Sequence, residues 1–166
     1  MKHTHIIGML VEDQPGVMAR ISGMFSRRGF NIDTISVGKT NTLNISKMIF
    51  TFIGDDRVIE QVIKQVNKLI DVIKVSEFPL DNSIITELCL VKVSIKDKKA
   101  KDELLKYADV YSVKTVDITA KSLIFRIVGD SQKIDSFIEL VKKFGIREIS
   151  RTGVTAMARG MNGNGK

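Results

Sequence analysis

At 166 residues, with 43% hydrophobic and 27% charged residues, the chain has room for one ordinary domain or two small ones. Its one cysteine, Cys89, excludes an intrachain disulfide framework, and its formal net charge is +7. No apolar stretch approaches the ~18–20 residues of a membrane helix, and residues 1–5 lack the basic start and apolar run of a secretory signal. A cytoplasmic protein outside the membrane is expected.

Residues 5–11 are apolar and β-branched and read as a strand. Glu12-Asp13-Gln14-Pro15-Gly16 follows, with Asp13 expected as helix N-cap and Pro15 in the first turn. Val17, Met18, Ile21, Met24 and Phe25 recur at helical spacing, and Arg27, Arg28 and Gly29 form a natural stop. Residues 30–38 alternate as a half-buried strand, and Thr40-Asn41-Thr42 turns into a further strand over 44–53. Gly54-Asp55-Asp56 ends that strand and caps a helix whose stripe is Val58, Ile59, Val62, Ile63, Val66, Leu69 and Ile70. Residues 72–78 make a fourth strand. The order βαββαβ closes into an antiparallel four-stranded sheet with two helices on one face.

Pro79 to Ser83 reads as a linker, and the order then repeats. Strands are expected over 88–95, 112–119, 123–128 and 145–151, with helices over 97–108 and from a Ser131 cap. The fold class is therefore α+β, two ferredoxin-like βαββαβ units. The expected domains are 1–79 and 84–156, with 157–166 a disordered tail. The second unit has Ile95-Lys96-Asp97-Lys98 where the first has Pro-Gly, so a role of the first turn is not expected to recur there.

The catalytic inventory is poor. No nucleophile motif, phosphate loop or dinucleotide fingerprint is present. His3 and His5 share one strand face, but the sequence suggests no third ligand nearby, so no metal site is expected. Net charge rises from +2 over residues 1–80 to +5 over 81–166. The lysines are interleaved with acids and read as solvated helix faces, so no nucleic-acid partner is expected. Phe50 and Phe52 share a strand face, as an RNA-binding sheet would require, yet the first strand carries no aromatic residue, which favours core phenylalanines.

The first turn is richer. Amides around Gly16 open a helix without intrahelical acceptors and, with the dipole, suit a carboxylate. Gly16 permits close approach, Asn31 offers donor and acceptor, and Asp13 could cap the helix or receive an ammonium. The unit is expected to bring Asn31 to the end of the sheet where this helix starts. Such a set suits an amino acid. Local roles (a cap, tight packing, a turn) account for the same residues.

The segments 10–17 and 21–32 resemble the ACT domain of the small, regulatory subunit of acetolactate (acetohydroxyacid) synthase. The similarity continues through Ser46-Lys47-Met48, Gly54-Asp55, 61–72 and 75–77. It resumes at 90–93, 116–119 and 149–154. The resemblance implies a non-catalytic chain that binds and activates a catalytic large subunit and confers valine inhibition. The pathway implied is that of valine, leucine and isoleucine. No cofactor is implied for this chain; thiamine diphosphate, Mg and FAD belong to the large subunit. It implies a homodimer through ACT domains, with valine between the first turn of one copy and the Asn31-Ile32 strand start of the other. The effector residues carried over are Asp13, Gly16, Val17, Asn31 and Ile32, with Asp13 standing where the family often has Asn. The alternative is a stand-alone ACT module that senses an amino acid and regulates another enzyme.

Overall fold

The structure, a computed structural model, describes residues 3–160. It divides into two compact units, residues 3–85 with 154–160, and 86–153.

The first unit runs β1 (His3–Glu12), α1 (Val17–Arg27), β2 (Thr34–Lys39), β3 (Ile45–Gly54), α2 (Asp56–Val66) and β4 (Val72–Glu77). Its strands lie in the order β2-β3-β1-β4, all antiparallel to their neighbours, which is the expected ferredoxin-like sheet. The second unit repeats it with β5 (Ser83–Ser94), α3 (Lys98–Val110), β6 (Lys114–Ile118), β7 (Ser122–Gly129), α4 (Ser131–Val141) and β8 (Ile146–Arg151), in the order β6-β7-β5-β8. The repeat extends to irregularities. The first strand of each unit slips register against the last strand, at Leu10/Val11 and at Lys92/Val93.

One face of each sheet is buried by the two helices. In the first unit Ile7, Met9 and Val11 of β1 and Met48, Phe50 and Phe52 of β3 meet Ile21 and Phe25 of α1 and Val62 and Val66 of α2. Phe25 stacks on Phe50 with centroids 5.4 Å apart. Phe50 and Phe52 are therefore core residues, which removes the base-stacking role. In the second unit Cys89, Leu123, Phe125, Ile134 and Phe137 form the equivalent core.

Helix ends depart from expectation in three places. α2 ends at Val66, and Ile70, expected on its apolar stripe, lies beyond it and is 93% exposed. Gly16, in the left-handed region at φ 89°, is the N-cap of α1, and Asp13 does not cap it. The turn is already closed by backbone bonds, and a carboxylate three residues ahead of the cap is out of reach. In the second unit Asp130, not Ser131, caps α4 by accepting from the Lys133 amide at 2.8 Å. Ser131 Oγ instead donates to the buried Glu87 carboxylate. The α1 terminus is as expected. Phe30 N–H donates to Phe25 O and Gly29 N–H to Ser26 O, with Gly29 at φ 70° and the Phe25 and Phe30 rings in edge contact. This is a Schellman end.

The largest correction concerns residues 154–160. The expected second domain, 84–156, gives up both ends: residues 84–85 and 154–156 pack with the first unit. The expected disordered tail begins instead as a ninth strand, β9 (Thr155–Ala158), paired with β5. Residues 161–166 of that expected tail lie outside the described residues. Val154 and Ala156 pack on Ile6, Ile49 and Phe78, on the sheet face opposite the helices. Four residues are too few to show a period in sequence, so only the apolar face that receives them identifies the strand. Lys47 Nζ donates to Ala156 O at 3.0 Å and lies over the Phe78 ring, and burial lowers its pKa. Gly8 makes room for this layer, because a Cβ there would lie 2.5 Å from the Phe78 ring.

Candidate functional site

The first turn is held at several points by backbone bonds. Glu12 N–H donates to Asp71 O at 3.0 Å, Asp13 N–H to Asn44 O at 2.8 Å, and Gln14 N–H to Glu12 O at 3.0 Å. Gly16 then takes the left-handed conformation that lets the chain swing into α1. Arg20 N–H makes the first intrahelical bond, to Gly16 O at 3.0 Å. The amides of Met18 and Ala19, ahead of it, have no acceptor within the helix, which is the anion-binding geometry of a helix start.

An ion pair between residues 51 positions apart completes the turn. Arg20 grips Asp71 in a two-point fork, Nε to Oδ2 at 2.6 Å and Nη2 to Oδ1 at 2.7 Å. Asp71 is buried and Arg20 half exposed. Hydrogen bonding to Arg20 holds the Asp71 carboxyl below the usual carboxylate range, and the same bond raises the Arg20 pKa. The remaining nitrogen, Nη1, lies 3.1 Å from where a Cβ on Gly16 would stand. A fixed guanidinium therefore flanks the loop and adds positive charge beside the free amides. Arg20 follows Gly16 by one helical turn, a local signal. Its partner is 51 residues away, so the pair is invisible in sequence.

The expected site residues separate into two groups. Asp13 and Gly16 are exposed at the first turn. Val17 is 4% exposed and belongs to the core, and its amide already donates to Gln14 O at 3.4 Å. Asn31 is exposed, with Nδ2 3.5 Å from Asp33 Oδ1, and Ile32 is half-buried against the core. The two groups are not at one end of the sheet, which corrects the expectation for Asn31. Thr34, at the start of β2, lies across β3 from Ile6, whereas Glu12 at the end of β1 is opposite Ile45. Six residues of strand separate Ile6 from Glu12, on the order of 20 Å at the usual rise. Since β2 runs parallel to β1, its start must lie where β1 starts. Within one copy, Asn31 and Gly16 therefore cannot hold the same amino acid.

Cys89 is fully buried, and burial, the largest influence on it, raises its thiol pKa, opposite to what a nucleophile needs. No helix of the described residues is long and apolar enough to cross a membrane.

A ferredoxin-like unit with a glycine-opened first turn and an open β2 edge is the architecture of an ACT domain, here joined to a second unit of the same topology. Residues 7–74 match the family model described as AHAS small subunit-like ACT domain, and residues 86–160 match the one described as small subunit of acetolactate synthase. The chain is 48% identical over 157 residues to a protein of Methanothermobacter thermautotrophicus named "Probable acetolactate synthase small subunit", covering 95% of this chain and 94% of that one. It is 40% identical to the acetolactate synthase small subunit of Mycolicibacterium smegmatis, covering 98% and 95%. The crystal structure of the small subunit from Thermotoga maritima matches with a TM-score of 0.89 at 37% identity, covering 95% and 98%. The chain belongs to the acetolactate synthase small-subunit family.

Proposed function

We propose that this chain is the regulatory subunit of an acetolactate synthase, activating a catalytic large subunit and making it sensitive to valine. Near full-length similarity to proteins named acetolactate synthase small subunit, a name that implies a larger partner chain, carries this reading. The reaction regulated is the joining of two pyruvates to acetolactate with loss of CO2, in branched-chain amino acid biosynthesis. Thiamine diphosphate, Mg and FAD reside in the large subunit and not in this chain.

The effector site is shared between two copies. β2 is an edge strand, with Ile35 and Val37 left partly exposed beside it. Two β2 edges pairing antiparallel about a two-fold axis reverse one sheet against the other. The Asn31-Ile32 end of one copy then reaches the first-turn end of its partner, which a single copy cannot achieve. The valine carboxylate is received by the amides following Gly16, beside Arg20. The ammonium is received by Asn31 of the other copy and by Asp13, whose negative charge suits it. Regulation requires that valine bind one state of the holoenzyme better than another, and a ligand seated across the two-fold meets that requirement by favouring one dimer geometry.

The test is reconstitution with the large subunit. Acetolactate formation should rise on adding this chain and fall on adding valine. Asn31→His should spare activation and weaken valine inhibition by about tenfold or more, equivalent to losing one or two good polar contacts. Calorimetry of the full chain with valine, leucine and isoleucine identifies the effector, and no heat from any of them would remove the sensing role. Failure to co-purify with a large subunit while still binding valine would favour the stand-alone sensor.

A further inference from the structure

We propose that His3, His5 and Asp56 form a binding site for a zinc-like divalent transition-metal ion, with Glu77 orienting the buried His5. The sequence offers two histidines on one strand face and no third ligand. The fold supplies the third. His5 lies opposite Phe52 and His3 opposite Gly54 on β3, and α2 begins two residues after Gly54, at Asp56. The connection from β3 to α2 thus returns a carboxylate to the histidine pair. Asp55 caps that helix, accepting from the Arg57 and Val58 amides, so Asp56 has no capping role.

The distances suit a metal. His3 Nε2 is 3.5 Å from Asp56 Oδ1, and donor atoms of all three residues lie within 4.8 Å of one another. In a tetrahedral site with bonds of ~2.0–2.2 Å, neighbouring donor atoms stand about 3.3–3.6 Å apart. The side chains of His3 and Asp56 are 53% and 90% exposed and can close the difference by rotation. Two imidazoles and one carboxylate, with a fourth position left for water, form a donor set for zinc or a similar ion. Calcium and magnesium prefer oxygen alone.

The state of His5 is an independent sign. It is 4% exposed and stacks on Phe52 with centroids 5.6 Å apart. Its Nδ1 lies 3.3 Å from Glu77 Oε1, while its buried Nε2 has no hydrogen-bond partner among the described residues. A buried polar nitrogen without a partner is costly and calls for an occupant. With Nδ1–H donated to a carboxylate, Nε2 keeps its lone pair, which is how ligating histidines are commonly oriented. The site is at the opposite end of β1 from the first turn and uses none of the proposed effector residues, although Asn31 lies at the same end of the sheet. Its occupant would tie β1 to the start of α2.

Zinc titration of the full chain against a chromophoric chelator tests the assignment, with cobalt as a spectroscopic stand-in. Zinc should bind stoichiometrically and raise Tm, and cobalt should give the intense visible absorption of a tetrahedral site. The exposed changes His3→Ala and Asp56→Asn leave the core intact, and each should weaken zinc by at least tenfold and remove its effect on Tm. Glu77→Gln should weaken it by about tenfold to a hundredfold, the usual loss on removing a carboxylate behind a ligating histidine. Absence of stoichiometric binding would overturn the assignment. So would binding that survives Asp56→Asn and Glu77→Gln and is lost only with His3. Valine inhibition is read separately and does not decide it.

Discussion

Gly16 and the Arg20–Asp71 pair set the geometry of the first turn, one through backbone freedom and the other through charge. At φ 89°, any side chain at position 16 is strained. Gly16→Ala should therefore cost about 1 kcal/mol in urea unfolding and weaken the effector response, even though a methyl group adds little bulk. Gly16→Asp adds a carboxylate where the proposed site receives one and should abolish valine inhibition of the reconstituted enzyme. The ion pair has a pH signature. Asp71 is held below the usual carboxylate range, so its contribution is fully present above that range. It is lost as pH falls through that range to the depressed value. Arg20 is shifted upward, so its own loss lies at strongly alkaline pH. Tm should be level near neutrality and fall on acidification, and Asp71→Asn should lower the neutral value while flattening the acid limb. Gly16 was legible as a special residue because turns and helix ends are local. Arg20 was not, because its partner arrives from the start of β4.

β9 shows how much one short element can cover. Val154 and Ala156, both about 5% exposed, seal Ile6, Ile49 and Phe78, and Lys47 anchors the strand through Ala156 O. Truncation after Gly153 should expose this face and cost about 2–3 kcal/mol, the worth of burying one or two aliphatic side chains. Increased dye binding by exposed apolar surface and a lower urea midpoint would report it. Gly8→Ala acts on the same layer from beneath and should cost about 1–3 kcal/mol, since the Phe78 ring must move. In the second unit Arg151 joins β8 to β5 and α4, bonding the buried Glu87 carboxylate and Asp135 Oδ1 at 2.7 Å. Arg151→Met leaves Glu87 buried without its counter-charge and should cost about 3 kcal/mol.

At the scale of the whole molecule, the effector reading depends on a second copy. An isologous β2–β2 contact places each residue of the edge near its own equivalent. Val37, 54% exposed on that edge, is the residue to change. Val37→Lys puts like charges across the two-fold and should convert a dimer to monomer in light scattering. Valine response should be lost with it, while the secondary structure remains. A dimer that persisted, with valine inhibition intact, would place the interface elsewhere.

By itself the sequence determined the two βαββαβ units, most of their cores, the helix stop at Gly29 and the special character of Gly16. Each of these is written in hydrophobic period or in the chemistry of a few adjacent residues. Tertiary structure alone decided that Asn31 lies at the far end of the sheet from Gly16, because strand direction follows from pairing across the sheet. It also decided the Arg20–Asp71 fork, the return of β9 to the first sheet and the meeting of Asp56 with His3 and His5. The last three join residues about 50 or more positions apart, where no local periodicity connects them. The first turn is thus a feature that sequence can locate. That Asn31 lies out of its reach within one copy is decided by topology.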